Sequence, residues 1–108
     1  MTREIRILSH AHLDFAEIVD WLAKNSVAGA ERWIAAFDTA LTDIAQHPDH
    51  SPLAPEDEFT DIEVREFFFR TKRGHRYRIL FTLIDEEIRV LRIRSPGQDL
   101  LTDDELRS

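Results

Sequence analysis

The run from Ile62 to Ser95, IEVREFFFRTKRGHRYRILFTLIDEEIRVLRIRS, decides the fold, because β-favouring apolar residues alternate with arginines through Ile62 to Arg70, His75 to Ile84 and Ile88 to Arg94. Short turns separate these segments: TKRG, with Gly74 available for positive φ, and a tight acidic turn around Asp85 and Glu86. Strands joined so closely run antiparallel, so the stretch reads as a three-stranded meander. Side chains alternate across a strand, which puts Tyr77, Ile79, Phe81 and Leu83 on one face of the middle strand and Arg76, Arg78, Leu80 and Thr82 on the other. Leu91 and Ile93 are expected to join the first set. Arg92 and Arg94 then project with Val90 to the opposite side, beside Arg76 and Arg78, on the face that helices leave uncovered. Like charges so close need an acidic partner. Phe67, Phe68 and Phe69 put aromatics on both faces of one strand, so at least one lies outside the main core or under a partner.

Upstream, Glu4 to Leu8 (EIRIL) alternates over a short β-favouring run and suits a first strand, after which Ser9 is placed to cap a helix. From Ala11 to Lys24 the apolar positions Phe15, Ile18, Val19 and Leu22 recur at helical spacing, with Asp14, Glu17, Asp20 and Lys24 largely on the other side. Asn25 and Ser26 supply a turn and a new cap. A second apolar stripe then runs through Ala30, Trp33, Phe37, Leu41 and Ile44 until Pro48 stops it. Two helices joined by so short a turn form an antiparallel hairpin with both stripes facing one core, expected to hold Phe15, Ile18, Leu22, Trp33, Phe37, Leu41, Ile79 and Phe81. The proline-rich run from Gln46 to Asp61 reads as a surface loop crossing back to the sheet. The fold expected is therefore α+β, a single domain over residues 1–108 in the order βααβββ, with the hairpin on one face of an antiparallel sheet. In the tail, Thr102 and Glu105 have capping-box spacing, but too few residues follow for an independent helix, and its order stays open.

The charge is unevenly spread. The run from Ile62 to Ser95 carries nine Arg and Lys against five Asp and Glu, a net +4, within a chain whose net charge is −7, so the remainder carries −11. Positive charge gathered on one sheet of an otherwise acidic molecule fits a specific acidic partner, whereas a pI near 5.1 argues against direct DNA or RNA binding by the chain alone. There is no cysteine, which excludes a disulfide framework, a thiolate metal site and a Cys nucleophile, and suits a reducing cytoplasm. The start MTREIRILSHAH has no uninterrupted apolar stretch, and no segment approaches the roughly 20 apolar residues of a membrane span, so a cytoplasmic protein with no membrane contact is expected.

The order strand, helical hairpin, proline loop and meander resembles the RelE/ParE toxin superfamily of bacterial type II toxin–antitoxin systems, over nearly the whole chain. The residues that carry the resemblance are Ala11, Asp14, Phe15, Glu17, Ile18 and Trp21-Leu22, then Ala30, Phe37, Leu41 and Ile44 before His47-Pro48. Further on come Val64-Arg65-Glu66, Tyr77-Arg78-Ile79-Leu80-Phe81 and Val90-Leu91-Arg92-Ile93-Arg94. The pattern is more similar to the ParE, or plasmid stabilisation, branch than to the ribosome-dependent ribonucleases. The resemblance implies a toxin that blocks DNA gyrase by protein–protein contact and is neutralised by a cognate antitoxin in a hetero-oligomer. An alternative is RelE-like mRNA cleavage on the ribosome, with Arg65, Arg78 and Arg94 stabilising the phosphate. A third is a toxin-fold protein that only binds a partner. Cleavage by 2′-hydroxyl attack needs groups that move a proton, yet no Tyr follows Tyr77 and no His follows His75. Many relatives carry a His-Gly-Arg-like segment after the last strand; here stands Ser95-Pro96-Gly97-Gln98-Asp99, which puts any carried-over C-terminal contact in doubt.

The residues assigned to partner binding are Arg76, Arg78, Arg92, Arg94 and Phe68, with an acidic antitoxin segment laid across them. His47 and His50 offer two metal ligands without a third at a telling spacing, so no metal and no cofactor is expected. His10 and His12 read as capping or solvent-exposed residues, and Trp21 and Trp33, one per helix, read as core or hairpin packing.

Overall fold

The computed structural model describes residues 3–107. In chain order the elements are β1 (Glu4–Ile7), α1 (Ser9–Asn25), α2 (Val27–Gln46), two 3-10 turns (Pro48–His50 and Pro55–Phe59), β2 (Arg65–Phe69), β3 (Tyr77–Ile84), β4 (Glu87–Arg94) and a one-turn α3 (Asp103–Arg107). The strands form one four-stranded sheet in the order β1-β4-β3-β2. The expected α+β order holds, and the meander is antiparallel as read. β1 pairs in parallel with β4, from Glu4↔Glu87 to Ile7↔Val90, so the sheet is mixed. The hairpin crosses one face and the proline loop returns the chain to the far edge, which leaves β1 beside β4 in the same direction.

Ser9 does not cap α1. It lies inside the first turn, behind Leu8, whose side chain makes no capping bond. Ser26 alone separates the helices: its N–H closes α1 on Leu22, and its Oγ accepts from the Gly29 N–H at 2.9 Å to open α2. Pro48 ends α2 by starting a 3-10 turn. Gly74 does not adopt positive φ. Among the described residues Asp85 (φ 56°) and Gly97 (φ 82°) do, the first in the β3–β4 turn and the second in the SPGQD segment.

Under the helices, Ile18, Trp33, Phe37, Ile44, Phe69, Tyr77, Ile79, Phe81, Ile88, Val90 and Ile93 form the main core, with Phe15, Leu22 and Leu41 packed partly buried against it. Leu91 is not in this set and Val90 is, the reverse of strict alternation. A bulge pairs Leu80 with Arg92 but Phe81 with Val90, so Leu91 is an extra residue that turns to the other face together with Arg92. That second face is covered too. Ala54, Val64, Leu80, Leu91, Leu101 and Leu106 form a smaller cluster in which the proline loop and the tail close over the sheet. The loop is well tied down: Ala54 N–H donates to Val64 O at 2.8 Å, Glu66 N–H to Pro52 O at 3.0 Å and Val64 N–H to Asp57 Oδ1 at 2.9 Å. The tail is ordered through a realised capping box, with Thr102 N–H on Glu105 Oε1 at 3.0 Å and Glu105 N–H on Thr102 Oγ1 at 3.3 Å, and it is anchored by buried Leu106.

Candidate functional site: the basic face of the sheet

The face away from the helices holds Arg76, Arg78, Arg92 and Arg94, but in unequal states, whereas Arg65 pairs with Phe81 and shares its side of the sheet. Arg78, in the middle of β3, is clamped. Its guanidinium meets both oxygens of Glu56 at 2.8 and 2.9 Å and Glu66 Oε1 at 3.1 Å. The Glu56 side chain is wholly buried and also accepts from the Leu101 N–H at 3.2 Å, so one carboxylate ties sheet, loop and tail together. Pro55 starts the second 3-10 turn and Ala54 plugs the small cluster beside it, and that is what turns Glu56 inward. Burial alone would push the Glu56 carboxyl up. The Arg78 and backbone hydrogen bonds and the Arg78 charge outweigh it and hold the pKa below the ordinary carboxylate value. The Arg78 pKa is raised in turn, chiefly by its hydrogen bond to Glu56.

Arg92 is held differently. β1 pairs with β4 only as far as Val90, and past that point the edge of β4 is open where α1 begins. Asp14 of α1 fills the gap: its carboxylate accepts from Arg92 at 2.7 and 3.0 Å and from the Ile93 N–H at 2.9 Å. The Arg92 pKa rises, mainly through that hydrogen bond. Arg94 lies opposite Arg78 across the β3–β4 ladder. It donates to the Asp99 carbonyl at 2.7 Å, its buried Nε has no partner, and Asp14 and Glu105 act on it only through their charge. Its pKa is lowered, first by burial and then by the neighbouring charge of Arg92. Arg76 is exposed, with its guanidinium 4.0 Å from the ring centroid of half-exposed Phe68. Arg65 donates to Ser51 O at 2.6 Å and Glu63 at 2.9 Å. The arginines left for an outside group are thus Arg94 and Arg76, with Phe68 beside the latter.

The sequence did not mark Glu56 or Asp14 as the carboxylates that answer this basic strip. Glu56 sat in an acidic loop that reads as surface, and Asp14 on the polar side of a helix. The available signal was the crowding of arginines itself, which required acids somewhere; only long-range contacts say which. Of the tryptophans, Trp33 is core as expected, but Trp21 is 59% exposed and stands near the turn that joins the two helices. Tyr77 is the one tyrosine. It lies under the helices against Trp33, ring centroids 5.4 Å apart, and burial pushes its hydroxyl pKa up. His47 and His50 stack at 4.7 Å, and the described residues hold no group of three His, Cys, Asp or Glu that could take a metal. No helix among them is long and apolar enough to cross a membrane.

Comparison with known proteins adds a family. A solved toxin–antitoxin complex, RelBE2 of Mycobacterium tuberculosis, aligns over 88% of this chain and 99% of the matched chain at 20% identity with a TM-score of 0.47, a likeness too slight to carry an argument of its own. No curated protein matches the chain in sequence. The family model described as the ParE toxin of the type II toxin–antitoxin system, parDE, matches residues 5–100, which takes in the hairpin, the loop and all of the basic sheet. The chain therefore belongs to the ParE toxin family of type II toxin–antitoxin systems.

Proposed function

We propose that the chain acts as a ParE-like toxin, inhibiting DNA gyrase by protein–protein contact and neutralised by a cognate antitoxin in a hetero-oligomer. One observation carries this reading over RNA cleavage. The arginines that would steady a phosphorane are divided or engaged: Arg65 is in register with Phe81 on the helix side of the sheet, Arg78 is held by Glu56 and Glu66, and the one tyrosine is buried under the helices, away from Arg94. A face that binds its own carboxylates is suited to receiving a protein's acids. Arg94, Arg76 and Phe68 are the contacts still open to an antitoxin segment, while Arg78 and Arg92 shape the floor beneath it.

The test is a supercoiling assay with purified gyrase beside a translating extract. Inhibited supercoiling with ribosome-bound mRNA intact is the expected pair of results. Codon-dependent mRNA cuts that vanish with Arg94→Ala would reverse the ranking. Arg94 suits this test better than Arg78, because truncating it strands no buried carboxylate. Calorimetric titration of the antitoxin should show weaker binding for Arg94→Ala and Arg76→Ala; unchanged affinity in both would move the interface elsewhere.

A further inference from the structure

Tyr77 leaves a loose end in the aromatic core. The residue is 6% exposed, its hydroxyl makes no hydrogen bond among the described residues, and burial is the one influence on its pKa. Buried phenols usually find a partner, so one without calls for a cause. The Trp33 Nε1–H also lacks a partner but is sealed from solvent, whereas the Tyr77 hydroxyl is not closed off. Tyr77 lines a cavity of about 270 Å³ between α1 and the end of β4. Glu17 and Trp21, one helical turn apart on the same side of α1, are in its wall, with Gln98 of the SPGQD segment. Asp14 is there as well, but its oxygens already accept from Arg92 and the Ile93 N–H. Glu17 is exposed, makes no hydrogen bond or ion pair among the described residues and reaches Arg92 only through its charge. No Lys, Arg or His lines the cavity. One small space thus brings together an exposed indole, a free carboxylate and an unpartnered phenol.

We propose that this cavity is a binding site for a guanidinium group, which stacks on the Trp21 indole, donates to the Glu17 carboxylate and gives a further N–H to the Tyr77 oxygen. A planar cation with several N–H donors suits this trio, because its face matches the indole while its edge serves two oxygens at once. A compact ammonium satisfies the carboxylate but is more strongly hydrated and has no flat face to stack. On the other side of Trp21 lies a groove lined by Arg32, Lys72 and Arg73, which repels the same group and leaves the indole to be used from the Glu17 side. A free guanidino compound and an arginine side chain carry this chemistry alike. The site lies under the helices, apart from the basic sheet face, and does not rest on the function proposed for that face.

The experiment titrates the full chain with methylguanidine and with N-acetyl-arginine amide, against N-acetyl-citrulline amide, which keeps the shape without the charge. Binding is read from the Trp21 indole resonance by NMR, with Trp21→Phe assigning it. The expected result is a saturable shift with the guanidinium probes and none with citrulline. Glu17→Gln should weaken binding roughly tenfold, and Tyr77→Phe, which keeps the ring and removes the hydroxyl, roughly fivefold. Both variants should unfold at the parent's midpoint, so that lost binding is not lost folding. Tighter binding of the arginine amide upholds the site and assigns it to a polypeptide side chain; tighter binding of methylguanidine upholds it and assigns it to a free small molecule. An equal response to citrulline, affinity unchanged in both variants, or n-butylammonium binding as tightly as methylguanidine would overturn the proposal.

Discussion

The two faces of the sheet are built on different chemistry. Against the helices, Phe15, Trp33, Phe37, Phe69 and Tyr77 interlock with ring centroids 5.2–5.9 Å apart over an aliphatic bed. Against the loop and tail, a few aliphatic side chains surround one buried ionic clamp, Glu56 to Arg78. The first face draws its stability from apolar area, which tolerates approximate solutions and does not depend on pH. A buried clamp contributes little net energy, because desolvation offsets its attraction, but it penalises every arrangement that leaves either charge unpaired. It therefore fixes where the loop and the tail lie on the basic face. Hydrophobic burial holds the molecule together on one side, and a polar lock positions the candidate interface on the other.

Truncations in the apolar face should have the largest effect. Phe81 is fully buried and Phe37 nearly so, and replacing either with Ala should cost about 3–5 kcal/mol, measured as a lowered denaturant midpoint with the slope unchanged. Midpoints within error of the parent would mean that this core is not what holds the domain.

Glu56→Gln comes next. It leaves the half-buried Arg78 with Glu66 alone and should cost about 3 kcal/mol, with faster exchange of the Leu101 amide while the helix amides stay protected. Equal exchange changes on both faces would dissolve the proposed division of labour.

Acid should separate the faces further. Glu56 has a folded pKa below its ordinary value of 4.5, so the stability it contributes is fully present above that value. It is lost as pH falls through the lower folded pKa. An acid titration followed by tail-specific and core-specific probes should show the tail loosening first, and Glu56→Gln should flatten that slope. A slope identical in the variant would remove Glu56 as its source.

The smallest effect belongs to Thr102→Ala, which removes one half of the capping box and should cost about 0.5–1 kcal/mol, confined to the turn Asp103–Arg107. Global unfolding should hardly move. A loss of protection throughout the sheet would show that the tail is integral to the fold instead of a cover on it.

Much of this molecule was legible before any contact was known. The period of the apolar residues marks α1, α2 and the meander, and placed Ile79 and Phe81 with Phe37 and Trp33. Strict alternation then misassigned Val90 and Leu91, because a bulge inserts one residue without leaving a mark in a run as uniformly β-favouring as Val90 to Arg94. Trp21 failed for a related reason: helical spacing says which residues share a stripe, but not where the partner surface ends, and α1 carries Trp21 past it.

What the sequence determined by itself is what local periodicity and composition can encode: the α+β order, the antiparallel meander, and a basic sheet in an acidic chain. Tertiary structure alone decided which of those arginines remain open. Glu56 and Arg78 are 22 residues apart, and Asp14 and Arg92 78 apart, so nothing in either neighbourhood records the pairing. Charge neutralisation acts through space. A row of arginines therefore announces that acids must come, while the folded chain determines whether they come from within it or from a partner.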